Sequence, residues 1–453
     1  MSTADIVIKN GTIVTSETSY KADVAIQGEK IVALGENLSG TREIDATGKL
    51  VTPGAIDVHV HLEMPIGDFV SADSFFTGTR AAAIGGTTAI VDFVETQPDE
   101  TMLTALAVRQ KKAAKSVIDY GFHMTICPTD INKLDQLPAV YQAGCASFKL
   151  YMAYGLRLDD GQILQALEAV RNVGGMPVVH AENWEVITSM IARNLDAGRI
   201  EPRWHPRSRP SIMEGEAAGR VINIATLVGT PLYIFHVSCA EVVNRIAAAR
   251  QDGLPIYGET CPQYLFLTDT AYDEADVEGA LPVCSPPLRT PADQVHLWEA
   301  LAQNNLQVVS TDHCPFTRAE KATGLEDYSR IPGGVPSIEM RFPAMYAFGV
   351  QSGYFSVNRW VDICCTTPAR LFGFQRKGHI AVGYDADVVI FDPNCEVELS
   401  TDSLHEDVDW TPYDGLVMTG WPAMTLSRGE LIVEDGCFVG QPGRGRFVTR
   451  RLT

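Results

Sequence analysis

Between Pro53 and Phe374 the chain repeats one unit, a short run rich in β-branched and aromatic residues followed by a stretch suited to a helix. Eight candidate strands can be marked, at 55–61, 88–94, 119–126, 147–151, 177–181, 232–238, 255–260 and 307–312. Met102 to Lys115, Asp160 to Val173, Glu214 to Leu227 and Ala240 to Arg250 read as helices between them. Strands apolar on both faces need parallel neighbours joined by helical crossovers. The pattern predicts an α/β fold, a (β/α)8 TIM barrel, in which functional groups gather at the C-terminal strand ends.

The two ends of the chain have another texture. Ile6-Val7-Ile8 and Thr12-Ile13-Val14 flank Asn10-Gly11, a strong hairpin signal. Asp23 to Ile26 and Lys30 to Leu34 repeat the theme around Gly28, which predicts a small antiparallel sheet. Ala386 to Phe391 and Leu431 to Val433 return to it late in the chain. The division that follows is 1–52 and 375–440 as two parts of one β-sandwich, 53–374 as the barrel, and 441–453 as a basic tail. That tail, Gly443 to Arg451, is either a solvated segment or a contact on a neighbouring subunit.

Charge and composition exclude several classes. The formal net charge of −20 disfavours nucleic acid and anionic membrane surfaces as partners, because both need clustered basic charge. No apolar run is long enough to span a bilayer, and Met1 to Val14 lacks the basic and apolar regions of a signal peptide, so a cytoplasmic location is expected. The ten cysteines are scattered without a CxxC pair, as in a protein with reduced and mostly buried thiols.

Five strand ends carry metal-capable side chains: Asp57-Val58-His59-Val60-His61, Ser147-Phe148-Lys149, Val178-Val179-His180, Ile234-Phe235-His236 and Val309-Ser310-Thr311-Asp312. His59 and His61 are two apart on an extended run and therefore share a face. Imidazole and carboxylate donors without cysteine suit zinc first, with manganese or another divalent ion as the alternative. Lys149 is the odd member, since an ammonium cannot ligate a cation; carrying CO2 as a carbamate, it becomes a carboxylate able to bridge two metals.

Several segments resemble the hydantoinase and dihydropyrimidinase branch of the cyclic amidohydrolases. They are Gly54 to His61, Phe148 to Tyr154, His180 to Asn183, Ser208-Arg209-Pro210, Ile234 to Ser238, Cys261 to Leu265, Ser285 to Arg289 and Thr311-Asp312-His313. The resemblance extends over nearly the whole chain, and Pro368 to Gly373 leads into the flanking sandwich of that family. It implies that His59, His61 and Asp312 hold a buried metal, that His180 and His236 hold a more exposed one, and that carboxylated Lys149 bridges both. It also implies that Asp312 acts as base and then acid, and that Tyr154 is the oxyanion donor. Ser285 would contact the ring amide. Asp57 and His313 are expected to orient the site rather than bind metal, and His123, His205, His296, His379 and His405 have no ligand spacing.

The substrate expected from the resemblance is a small cyclic amide, with water adding across the ring C–N bond of hydantoins substituted at C5. Dihydropyrimidines, allantoin and cyclic imides are the alternatives. Pro336-Ser337 stands where many dihydropyrimidinases carry Asn-Gly, and proline removes a backbone N–H, which moves weight toward hydantoins. Met64, Phe69 and Tyr151 are expected to line the pocket for the ring substituent, and Pro336 to stand against the substrate as well. Non-catalytic interaction proteins share this fold after losing the metal ligands, but none of the six ligand positions is lost here. A homotetramer or dimer is implied by resemblance alone.

Overall fold

Runs that are buried along their whole length are what make the central strands. Thr87–Val94, Asp119–Thr125 and Met176–His180 have no exposed residue on either face. The computed structural model of the chain, which describes residues 4–452, arranges eight such strands in one parallel sheet. They are β1 Ala55–Asp57, β2 Thr87–Val94, β3 Asp119–Thr125, β4 Ser147–Tyr151, β5 Met176–His180, β6 Leu232–Ile234, β7 Ile256–Thr260 and β8 Val308–Val309. Each pairs with the next in chain order, and the ring is drawn together where Val60 bridges His313 in parallel and the His61 N–H donates to the His313 carbonyl at 2.9 Å. This is the (β/α)8 barrel that the alternating pattern predicts.

The helices lie close to the expected spans, at Met102–Ala113, Asp160–Val173, Ser211–Val228 and Ala240–Gln251. Asp160–Val173 is bounded sharply. Asp159 accepts from the Gln162 N–H at 2.8 Å in a capping box, and Gly174 closes the helix at φ 72°.

Three of the five strands that carry ligand candidates stop well short of their expected C-terminal ends. β1 stops at Asp57 rather than 61, β6 at Ile234 rather than 238, and β8 at Val309 rather than 312. Beyond those points side-chain carboxylates take up part of the backbone N–H set in place of a neighbouring strand. Asp57 Oδ1 accepts from His59 N–H and Thr311 N–H at 3.2 Å each, and Asp92 Oδ2 accepts from Leu62 N–H at 2.8 Å.

Both chain ends build the second region, in a way that corrects two expectations. Asn10-Gly11 does not close a hairpin. Ala4–Lys9 belongs to a four-stranded sheet, while Thr12–Val14 belongs to a seven-stranded sheet shared with Val388–Glu398, Val417–Ser427 and Glu430–Glu434. Asn10 at φ 63° turns the chain from one sheet to the other, and a Cβ on Gly11 would meet Val51 Cγ2 at 2.5 Å. The smaller sheet is mixed rather than purely antiparallel, since Ala4–Lys9 runs parallel to Gly40–Asp45. Ile13, Ile26 and Val51 from the start of the chain share one apolar core with Val388, Ile390 and Leu426.

The basic C-terminal segment packs along its own chain, with Arg450 buried while Arg446 keeps an exposed side chain. Tyr120 N–H donates to the Arg446 carbonyl at 3.0 Å and Val448 N–H returns to Tyr120 at 2.8 Å, so the segment crosses the N-terminal end of the barrel. Arg450 is fully buried there and donates to Ser147 Oγ at 3.0 Å and to the Phe372 carbonyl at 3.2 Å. Its guanidinium satisfies the Ser147 hydroxyl at the start of β4 and the Phe122 carbonyl within β3, groups that an apolar tail would leave unpaired.

Candidate active site

The six predicted metal ligands converge at the C-terminal end of the barrel. His59 and His61 follow β1 on one face, and both direct Nε2 to Asp312 Oδ1, at 3.0 and 3.1 Å. Ligand atoms of His59, His236 and Asp312 all lie within 4.8 Å of one another. His180 Nδ1 and His236 Nε2 face each other at 2.9 Å. Three of the residues past the strand ends take left-handed backbone angles, Tyr154 at φ 67°, His236 at 39° and Asp312 at 53°. Such angles are costly for residues with a side chain and concentrate where geometry is held for function.

Protonation favours ligation. Burial lowers the pKa of His61, His180 and His236, so these imidazoles are neutral near pH 7 and offer lone pairs. His59 differs: burial works against its charge, but Asp312 and Glu259 outweigh this and raise it to about 9. Burial works against the Asp312 carboxylate too, yet His59 and His61 hold it well below the usual range. A cation entering between these groups displaces protons and replaces them as the positive partner.

Lys149 sits among these donors, 1 % exposed, with no hydrogen bond or ion pair to any described residue. Its Nζ lies 4.1 Å from the Phe235 ring centre and 4.6 Å from that of Tyr151. Burial, opposed by Asp312 and Glu259, brings its pKa down to about 7. A substantial share of the amine is thus neutral near pH 7, the form that adds CO2.

Several polar groups that orient the ligands went unassigned in the sequence. Glu259 at the end of β7 accepts from His59 Nδ1 at 2.5 Å and from Tyr233 Oη at 2.9 Å. Glu182 binds His180 Nε2 at 2.8 Å and Arg209 Nη1 at 2.6 Å. Carboxylates that bond to the free nitrogen of a ligating histidine fix its tautomer and ring angle. Glu182 was findable, since it stands two residues past His180, and Glu259 is the penultimate residue of a predicted strand. Arg209 lay in a recognised motif, but only the folded chain brings it to Glu182. Asp57 accepts Thr311 Oγ1–H at 2.7 Å, and His313 pairs with Asp73 at 2.9 Å behind the ligands. His123 is a satisfied core residue between the Val58 carbonyl and Ser147 Oγ, and His205 donates to the Cys284 carbonyl at 2.8 Å.

A cavity of about 1040 Å³ opens onto the ligands. His59, His61, Lys149, His180, His236 and Asp312 form its floor, and Phe69, Tyr151, Tyr154 and Ser285 stand on its wall. Two expected wall residues do not. Met64 is packed in the core with Ile56 and Phe93, and the wall there is Pro65 to Phe69 instead. Pro336 is buried behind the site; the wall is formed by Ile331 to Gly334, and the Ser337 N–H that follows the proline donates to His313 Nδ1 at 3.1 Å. Tyr154 packs 5.2 Å from His180 and 5.0 Å from Trp184, ring centre to ring centre, and its hydroxyl lies beside Ser285 and Arg209. Burial, partly offset by Arg209, raises it to about 12, so it remains a donor at any physiological pH.

The donor set fits a metal. It combines carboxylate with neutral imidazole, and the Nδ1 atoms of His61 and His236 are buried with no partner among the described residues. Buried polar atoms without partners are costly, and a divalent cation is the partner this chemistry accepts.

Comparisons with known proteins agree with this geometry. The D-hydantoinase of Geobacillus stearothermophilus is 46% identical over 451 residues, spanning 98% of this chain and 96% of that protein. Among solved structures, the D-hydantoinase from Bacillus sp. AR9 superposes with a TM-score of 0.97 at 47% identity, covering 99% of both chains. The dihydropyrimidinase from Brevibacillus agri NCHU1002 gives 0.96 at 46% identity over 98% of each. The model of the amidohydrolase family matches residues 50–203 and 207–432, the barrel with the closing strands of the sandwich, and with these relatives it shows that the chain belongs to the amidohydrolase family and hydrolyses amide C–N bonds.

Proposed function

We propose that the chain opens the ring of hydantoins substituted at C5, giving N-carbamoyl amino acids, with two divalent cations in its site. The observation that carries this is Lys149: a buried amine near neutrality, without an anion partner, among imidazole and carboxylate donors. Addition of CO2 to Nζ forms an N–C bond and releases a proton, and the resulting carbamate supplies the oxygens that a bridge between cations needs. His59, His61 and Asp312 would hold one cation, and His180 and His236 the other, with zinc first and manganese as the alternative. When bound, the cations supply a more acidic water and polarise the ring carbonyl.

The chain's own groups then do the following. Asp312 takes a proton from the attacking water and delivers it to the ring nitrogen as the C–N bond breaks. Tyr154 donates its hydroxyl hydrogen to the carbonyl oxygen as negative charge grows there, and Arg209 beside it favours that charge. Ser285 holds the ring amide, and Phe69 and Tyr151 face the substituent. The names of the relatives, D-hydantoinases and a dihydropyrimidinase, favour hydantoins ahead of dihydropyrimidines for this chain. The family resemblance also supports a homotetramer or dimer, and a cytoplasmic location.

Metal content per chain, measured on protein purified without chelators, and turnover of dihydrouracil, phenylhydantoin and allantoin test the reading together. The expected result is two equivalents of metal with turnover of the hydantoin. Two equivalents with none of the three rings opened would discard the substrate and keep the metal site; absence of metal and of turnover would discard both.

A further inference from the structure

One carboxyl on the cavity wall has no part in the reaction just described. Glu95 follows β2 directly and lines the cavity near the metal-ligand floor. Three carboxylates line that cavity. Asp312 is held by His59 and His61, and Asp68 stands in an exposed loop. Glu95 has neither constraint: it makes no hydrogen bond or ion pair to any described residue. Arg109, whose charge reaches it, is bonded elsewhere, to Asp92 Oδ1 at 3.0 Å and to the Leu62 carbonyl at 2.6 Å. Lys149 feels the same carboxylate at a distance without pairing to it. Burial raises the Glu95 carboxyl to about 7, the mark of an acid short of compensation.

A substituent placed over such a group strips its remaining water. An alkyl or phenyl end leaves the carboxyl covered and unpaired, whereas a cationic donor both pairs and hydrogen-bonds it. The wider field acts in the same sense, since the chain carries a net charge of −20 and Asp68 lines the cavity; exposed Arg330 is the one fixed cation on the wall besides the paired Arg209.

We propose that Glu95 selects the ring substituent, favouring cyclic amides whose side chain ends in a primary ammonium. This rests on the hydantoin-ring reading given above.

The test uses the metal-loaded enzyme and two substrates of nearly equal shape, a hydantoin with an aminobutyl side chain and its pentyl counterpart. The wild type is expected to prefer the aminobutyl ring in kcat/KM by about tenfold or more, the scale of one buried charge-assisted bond. Glu95→Leu is expected to reverse the order by losing the aminobutyl ring and gaining the pentyl one. Glu95→Gln, which keeps the shape and removes the charge, is expected to bring the ratio toward unity. A ratio that is the same in wild type and both variants, or a wild type that prefers the pentyl ring, overturns the role of Glu95 while the hydrolase reading stands. Failure of the wild type to open either ring overturns both.

Discussion

The two ends of the barrel solve the problem of buried polar groups in opposite ways. At the N-terminal end the buried charges of Lys377, Arg428, Asp119 and Asp387 are paired with one another. Lys377 Nζ reaches Asp387 at 2.6 Å, Asp119 at 2.7 Å and Asp385 at 3.3 Å, and Arg428 pairs with Asp119 as well. Burial alone would lower the Lys377 pKa, but these three carboxylates raise it. At the C-terminal end the chain leaves Lys149 without an anion and the Nδ1 atoms of His61 and His236 without partners. One end ties β3 to the sandwich and the C-terminal segment; the other keeps donors free for ligands that the chain does not itself supply. Stability and function are thus separated along the barrel axis, as the fold allows.

The sharpest way to break this contrast is to remove the free amine. Lys149→Ala is expected to abolish turnover, beyond the roughly 10²–10³-fold loss of a single oxyanion donor, and to bind fewer than two metals. Short carboxylic acids are expected to restore part of the rate, and metal analysis beside a rescue assay checks both. At the opposite end, Lys377→Met leaves buried carboxylates uncompensated and is expected to cost about 3–5 kcal/mol in denaturant unfolding, with kcat/KM of the folded protein little changed. A kinetic defect there would mean that the two ends are coupled. Tyr154→Phe is expected to lower kcat by about 10²-fold with metal content intact. Glu182→Gln loosens the hold on His180 and the ion pair with Arg209, and is expected to weaken metal retention by about 10–100-fold, read by chelator competition.

The smallest effect concerns Lys321, buried without exposure near the cavity wall and donating to the Val283 carbonyl at 2.7 Å. Burial lowers its pKa to about 7, against Cys284 and Cys314. The folded chain therefore holds this proton less tightly than the unfolded chain, and stability falls as pH drops from the ordinary lysine value of 10.5 toward 7. Lys321→Met removes this titration and is expected to gain on wild type across that same fall, because the lost bond to Val283 weighs equally at both ends of the pH range. Thermal unfolding of the two proteins at pH 7 and pH 10 reads the difference.

How much was legible beforehand differs by region. The central strands and helices could be read because period and burial are local properties; β4 and the helix Asp160–Val173 have their predicted bounds. The Asn10-Gly11 hairpin misled because the same dipeptide that closes a two-residue turn also lets the chain leave one sheet for another. The burial of Arg450 in the basic C-terminal segment could not be read beforehand, because charge reads as solvent exposure until a buried acceptor set is found for it. Arg450 has one in Ser147 Oγ and the Phe372 carbonyl, more than seventy positions away along the chain.

What the sequence determined by itself is the inventory: which strands form, and that each of five carries a ligand-capable side chain at its C-terminal end. Residue type and two-residue periodicity are written along the chain, and the barrel rule converts them into a shared location. Tertiary structure alone decided the pairings. Which carboxylate orients which histidine, which charges neutralise one another and which remain free depend on distances between residues far apart in sequence. Glu182, Glu259, Glu95 and Lys149 are all buried or nearly buried ionisable groups, and only their neighbours in space separate the two that hold ligands in place from the two left open to receive one.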